Sequence, residues 1–115
     1  MATFIEDVLD PTQYSFLLLS VSDTKWDKDA QKEVPRTIWG TDDPAVALEV
    51  SVQRRDGTGR SRIVEVEVPK AAVHGEPQRG AEITFAELTM RARVDWAFYV
   101  AGAAGPVGKT SASTP

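Results

Sequence analysis

The chain has no cysteine and a single histidine, His74, among its 115 residues. Without cysteine there is no disulfide framework, no thiolate zinc or iron–sulfur site and no cysteine nucleophile. His74 sits in a connector with Gly75, Pro77 and Gly80. It has no second imidazole at metal-ligand spacing and no G-x-S-x-G turn to serve, so an exposed loop histidine is expected. No apolar run approaches the roughly 18 residues of a membrane-spanning helix. The first residues are acidic and lack an apolar h-region, so no signal peptide is expected and a cytoplasmic location is. These absences point to a protein with no metal, no cofactor and no membrane partner.

Two further motifs carry no chemistry. Ala103-Ala-Gly-Pro-Val-Gly-Lys-Thr110 loosely matches a phosphate loop, but only five residues follow Thr110. A phosphate loop needs a helix whose N-terminus faces the phosphates, and there is no room for one. Asp42-Asp43 before Pro44 reads as a turn rather than a cation site. No pair of titratable groups stands in a recognisable catalytic arrangement, so an enzyme is not expected.

The chain does have an uneven charge. Its net charge is −4, yet residues 1–52 hold 10 acidic and 4 basic side chains, and residues 53–115 hold 7 acidic and 9 basic. The average argues mildly against a general polyanion binder, and the distribution leaves room for one basic surface.

Its apolar residues alternate. Residues 14–22 form the most apolar stretch and predict a central strand buried on both faces at its middle. In residues 46–52, Val46, Leu48, Val50 and Val52 share one face, and in 63–68 Val64, Val66 and Val68 do the same. Period two with β-branched residues predicts strands. The Asp56-Gly57 and Gly59 between them predict a hairpin turn. Residues 25–44 are polar and broken by Pro35, Gly40 and Pro44, a long loop with a short hairpin or strand near 36–39. Residues 69–80 form a connector with at most one helical turn. Residues 82–94 predict a long strand whose apolar phase shifts between Phe85 and Leu88, the mark of a bulge or bend. Residues 96–101 form the last strand.

The expectation is an all-β domain: a leader over 1–13, a domain over 14–101 and a flexible tail over 102–115. Five strands, all antiparallel by loop length, suit a small closed Greek-key barrel of the oligonucleotide/oligosaccharide-binding (OB) type. A sandwich would take about seven strands.

Arg54, Arg55, Arg60 and Arg62 crowd around the hairpin turn, and Lys70 follows. A planar guanidinium can hold phosphate bidentately, so this is a candidate finger for a nucleic-acid backbone. Trp26, Trp39 and Tyr99 are candidate stacking faces for unpaired bases, with Trp96 and Phe98 expected in the core.

The order of these elements resembles single-stranded-DNA-binding OB proteins: an apolar first strand, a polar loop, a Trp, then a Gly-tipped basic hairpin. It also resembles small proteins of actinobacterial plasmids and integrative elements, described as activators of replication, integration and excision. That likeness rests on Ile38-Trp39, Leu48-Glu-Val-Ser-Val52, Ile63-Val-Glu-Val-Glu-Val-Pro69 and Gly80-Ala-Glu-Ile-Thr-Phe-Ala-Glu-Leu88, with an aromatic last strand. It covers residues 14–102. The tail lacks the acidic, Phe-ended tip through which bacterial single-strand binders recruit partners. The resemblance implies a non-enzymatic protein that binds single-stranded DNA for a mobile element or phage. The rival reading is a protein–protein module whose acidic first half meets a basic partner. Free strand edges make homo-oligomers accessible to either.

Overall fold

A computed structural model describes residues 5–38, 40–93 and 96–106. They are almost wholly strand, and the described residues contain no α-helix. The strands are β1 (Ile5–Val8), β2 (Tyr14–Ser22), β3 (Thr24–Asp27), β4 (Lys32–Pro35), β5 (Ala45–Arg54), β6 (Arg62–Pro69), β7 (Glu82–Ala86), β8 (Thr89–Arg93), β9 (Trp96–Val100) and β10 (Ala103–Pro106). Eight form one sheet in the order β1-β8-β9-β6-β5-β2-β7-β10, and β3 and β4 form a separate hairpin. No helix of the described residues is long and apolar enough to cross a membrane.

The all-β expectation holds, and the alternation explains why. Leu48 and Val50 on β5 and Val66 and Val68 on β6 are fully buried on the face the period assigned them. Val50 pairs with Val64 and Leu48 with Val66 across the β5–β6 ladder. Phe16 and Leu18 of β2 join them, and Ile83 and Phe85 of β7 with Leu88 just after it complete the core. Phe16 and Phe85 meet edge to face, 4.9 Å between ring centroids, the arrangement their quadrupoles favour.

The phase shift in residues 82–94 is a break between β7 and β8. Glu87 takes φ 55°, and Ala86 and Glu87 both point to solvent before Leu88 returns to the core. One extra outward residue reverses the parity, as a bulge does. A non-glycine side chain in the left-handed region costs about 1–2 kcal/mol. Glu87→Gly is therefore expected to leave stability unchanged or raise it by up to about 1 kcal/mol, the relief offset in part by the freer unfolded chain. Urea unfolding measures this, and a loss above that size would contradict the strain.

The structure corrects five sequence expectations. The described residues form ten strands rather than five. They are not all antiparallel: β6 and β9 run parallel, with Val66 opposite Tyr99. The chain passes through β7 and β8 between them and so returns in the same direction. Residues 5–8 of the supposed leader pair with β8, Ile5 opposite Ala92. Residues 103–106 of the supposed tail pair with β7, Ala104 opposite Phe85. These residues lack β-branched side chains. Their smallness lets the strand lie close, with Ala104 itself buried and its carbonyl accepting from the His74 amide at 2.8 Å. Finally, β2 is buried on one face only. Leu17 is 42% exposed between buried Phe16 and Leu18, and a register shift between Leu18 and Ser20 sets half-exposed Val21 opposite Leu48.

The long loop carries the hairpin β3–β4 across residues 24–35, earlier in the chain than expected. Near residues 36–38 the described residues form an isolated bridge, Thr37 to Pro44. The single turn after β6 is a 3-10 turn at Lys70–Ala72. His74 is exposed, as expected of a loop histidine.

Candidate functional site

The arginine-rich hairpin is built as its glycines dictate. Gly57 and Gly59 take φ 81° and 74°, values a Cβ would resist. Asp56 fixes the turn by accepting from the amide and hydroxyl of Thr58 at 2.9 and 2.7 Å. Asp10 does the same with Thr12 at the 3-10 turn before β2, at 3.0 and 2.6 Å.

These hydrogen bonds, the hydroxyl of the threonine first and its amide second, hold both carboxyls below the usual aspartate value. A lowered folded-state value contributes stability above the ordinary aspartate range. That contribution is lost as the pH falls through the lowered value. Asp56→Asn is expected to unfold with a smaller acid-induced drop in urea midpoint than the parent, compared at about pH 7 and about pH 2. An identical drop would mean that the carboxyl contributes nothing.

The four hairpin arginines divide into two pairs. Arg54 lies 3.6 Å from Asp56, and its guanidinium carbon stands 5.9 Å from the centroid of the Tyr14 ring. Arg55 donates from Nε to the Thr12 carbonyl at 3.0 Å and reaches Glu82 at 3.4 Å. It ties the hairpin to the turn before β2 and to β7. Arg60 and Arg62 are exposed, and among the described residues neither makes a hydrogen bond or ion pair.

The other candidates do not all join them. Tyr99 is half-buried, packed on the core and opposite Met90 of β8; it pairs with Val66 midway along β6 and shares a pocket wall with Arg62. Lys70 follows the opposite end of β6 and pairs with Asp23 at 3.4 Å. Eight residues of strand put Arg62 and Lys70 about 26 Å apart. Trp26 is 58% exposed, as expected, but stands on β3, beyond the Lys70 end of β2. Trp39 lies outside the described residues, as does the side chain of Trp96. Phe98, expected in the core, is half-buried. The expected site therefore splits into a hairpin end with the arginines and Tyr99, and a far end with Lys70 and Trp26.

Between them the outer face of β5 and β6 is acidic. Glu49 and Glu65 are direct cross-strand partners, and Glu67 stands opposite Ala47 one row on. Arg36 reaches Glu65 at 3.4 Å, and Ser20 donates to Glu49 at 3.3 Å. The alternation predicted outward carboxylates on both strands, but only the register shows that two of them oppose each other. Like charges directly opposite destabilise a ladder by roughly 0.2–1 kcal/mol. Glu49→Thr is expected to stabilise the fold by about that amount in urea unfolding; a loss would show that the Ser20 contact outweighs the repulsion.

A search of family models, curated proteins and solved structures finds no match to this chain.

Proposed function

We propose that this chain is a non-enzymatic OB-type domain that binds single-stranded nucleic acid through its arginine hairpin. Support for the barrel comes from the pairing order. Only Glu87 and Leu88 separate β7 from β8, yet β7 pairs with β2 while β8 pairs with β9. Taking β7 and β8 as one bent strand, pairing runs β2–β5–β6–β9–β8/β7 and back to β2. Such an order is what a five-strand ring of Greek-key type would give, with β1, β10 and the β3–β4 hairpin as additions.

The observation that carries the function is the hairpin itself. Four arginines cluster on nine residues, and two of them, Arg60 and Arg62, have no partner among the described residues. OB domains hold oligonucleotides on the face of their second and third strands. Here those strands are β5 and β6, and their outer face carries Glu49, Glu65 and Glu67. A phosphate backbone is repelled there. The strand is therefore held at the hairpin end, with Lys70 and Trp26 uninvolved. The resemblance to actinobacterial mobile-element proteins supports a role in replication or recombination of such an element.

Fluorescence titration with a labelled single-stranded oligonucleotide tests this reading. With about four phosphates neutralised, affinity is expected to fall roughly 50-fold between about 50 and about 200 mM salt. No binding of DNA or RNA at the lower salt would remove the proposal.

A second reading has its own observation. Leu17, Ser51 and Ile63 form one row across β2, β5 and β6. Leu17 and Ile63 are 42% and 66% exposed, and the glutamate pair lies in the next row. An apolar row beside carboxylates suits a basic protein partner. A stoichiometric protein partner that survives nuclease treatment and is lost in Ile63→Lys would favour it over nucleic acid.

A further inference from the structure

The inward face of β5 and β6 does not end with the core. Val50 and Val52 lead to Arg54 on the same parity, and Val66 and Val64 lead back to Arg62. Val52 and Arg62 are cross-strand partners, as are Tyr14 and Arg54. At this end of the sheet opens a pocket of about 210 Å³, with Tyr14, Val52, Val64, Met90, Tyr99 and Arg62 in its wall. Apart from Arg62 and the two phenols, that wall is hydrocarbon and thioether.

The wall selects its occupant. A cavity near 150 Å³ holds benzene, so this one has room for a body of roughly ten to twelve heavy atoms. A nucleobase would press its hydrogen-bonding edge against valine, leucine and methionine and leave it unpaired. A hydrocarbon body loses nothing there. At the rim Arg54 is held by Asp56 and Tyr14, whereas Arg62 has no ion pair among the described residues. Its guanidinium is free to take a carboxylate in fork geometry.

We propose that this pocket binds a small amphiphilic carboxylate, an aromatic or short aliphatic body capped by one carboxyl group on Arg62. The site is separate from the nucleic-acid reading, because it uses the inner face of the sheet rather than the outer cations of the hairpin. The two share Arg62 and Tyr99.

The test uses the full chain labelled with 15N and with 13C-methyl methionine. The probes are 2-naphthoate and its neutral counterpart 2-naphthalenemethanol. Both are expected to shift the Met90 methyl saturably, with the naphthoate about tenfold tighter. Arg62→Gln is expected to remove that advantage and leave the alcohol unchanged. Val64→Phe, which fills the pocket, is expected to abolish both shifts while the protein still unfolds cooperatively. Val52→Leu is the second filling variant where Val64→Phe does not fold. A Met90 methyl unmoved at millimolar naphthoate overturns the proposal. So does a shift that persists in the filled variants, or a naphthoate no tighter than the alcohol. Shifts confined to the backbone of residues 54–62, with Met90 still, overturn it too and leave the hairpin reading intact.

Discussion

Leu48→Ala is expected to destabilise the domain by about 2–5 kcal/mol. Leu48 is wholly inaccessible and lies in the middle of β5, with Val21 of β2 on one side and Val66 of β6 on the other. Strands hemmed in by neighbours on both sides collapse little around a lost isobutyl group, so both the transfer loss and the cavity are felt. Domains of this size have roughly 5–15 kcal/mol in total, so the variant should lose a large share of it. Ile63→Ala is the control. Ile63 is 66% exposed on the outer face, and its truncation should stay within about 0.5 kcal/mol. Urea unfolding followed by circular dichroism decides both. A cost for Leu48→Ala below about 1 kcal/mol would mean that the register of β5 is misplaced.

Reversing two charges should have the largest effect on binding. The double variant Arg60→Glu/Arg62→Glu removes two cations and adds two anions where the nucleic-acid strand is proposed to lie. A loss of oligonucleotide affinity of about 100-fold or more at low salt is expected. Stability should not fall, because neither side chain has a partner to lose among the described residues. Lys70→Glu should leave the affinity unchanged, since Lys70 sits at the far end of β6 beside Asp23. Replacing Arg55 is a different experiment. It breaks contacts to Thr12 and Glu82, so a fall in affinity there would mix recognition with hairpin placement. An unchanged affinity in the double variant would take the hairpin out of the interface.

The parts of this fold that could be read from sequence are those where side chains report on burial. Alternation in residues 46–52 and 63–68 placed the central ladder and its inward face. The phase slip between Phe85 and Leu88 placed the bend at Glu87. Ala103–Pro106 was missed because a strand of alanine, glycine and proline carries no apolar period; its pairing comes from backbone contact with β7 and the His74 segment. The parallel β6–β9 pair was missed because loop lengths speak of neighbours in sequence, and these strands are joined through two others. At the candidate site, composition gathered the arginines around Gly57 and Gly59. It could not tell the engaged guanidinia of Arg54 and Arg55 from the free ones of Arg60 and Arg62, because Thr12, Tyr14 and Glu82 are distant in sequence. Lys70 was grouped with the hairpin by proximity along the chain, though an intervening strand carries it to the other end. The apolar pocket was hinted at by a parity that runs from Val52 to Arg54 and from Val64 to Arg62, a pattern visible once the inward face is known.

The parallel contact of Val66 with Tyr99 also bears on how the chain folds. The β5–β6 hairpin can zip early, since its turn closes a short loop. The β9 strand must wait until some thirty further residues have been laid down. Until then β6 presents a bare, valine-rich edge, the kind of template on which other chains add. A ribosome-bound or truncated chain that stops before residue 96 is thus a sticky species rather than a smaller version of the domain. Folding in the millisecond-to-second range, slow for so short a chain, is what pairing β6 with a strand so distant in sequence leads one to expect.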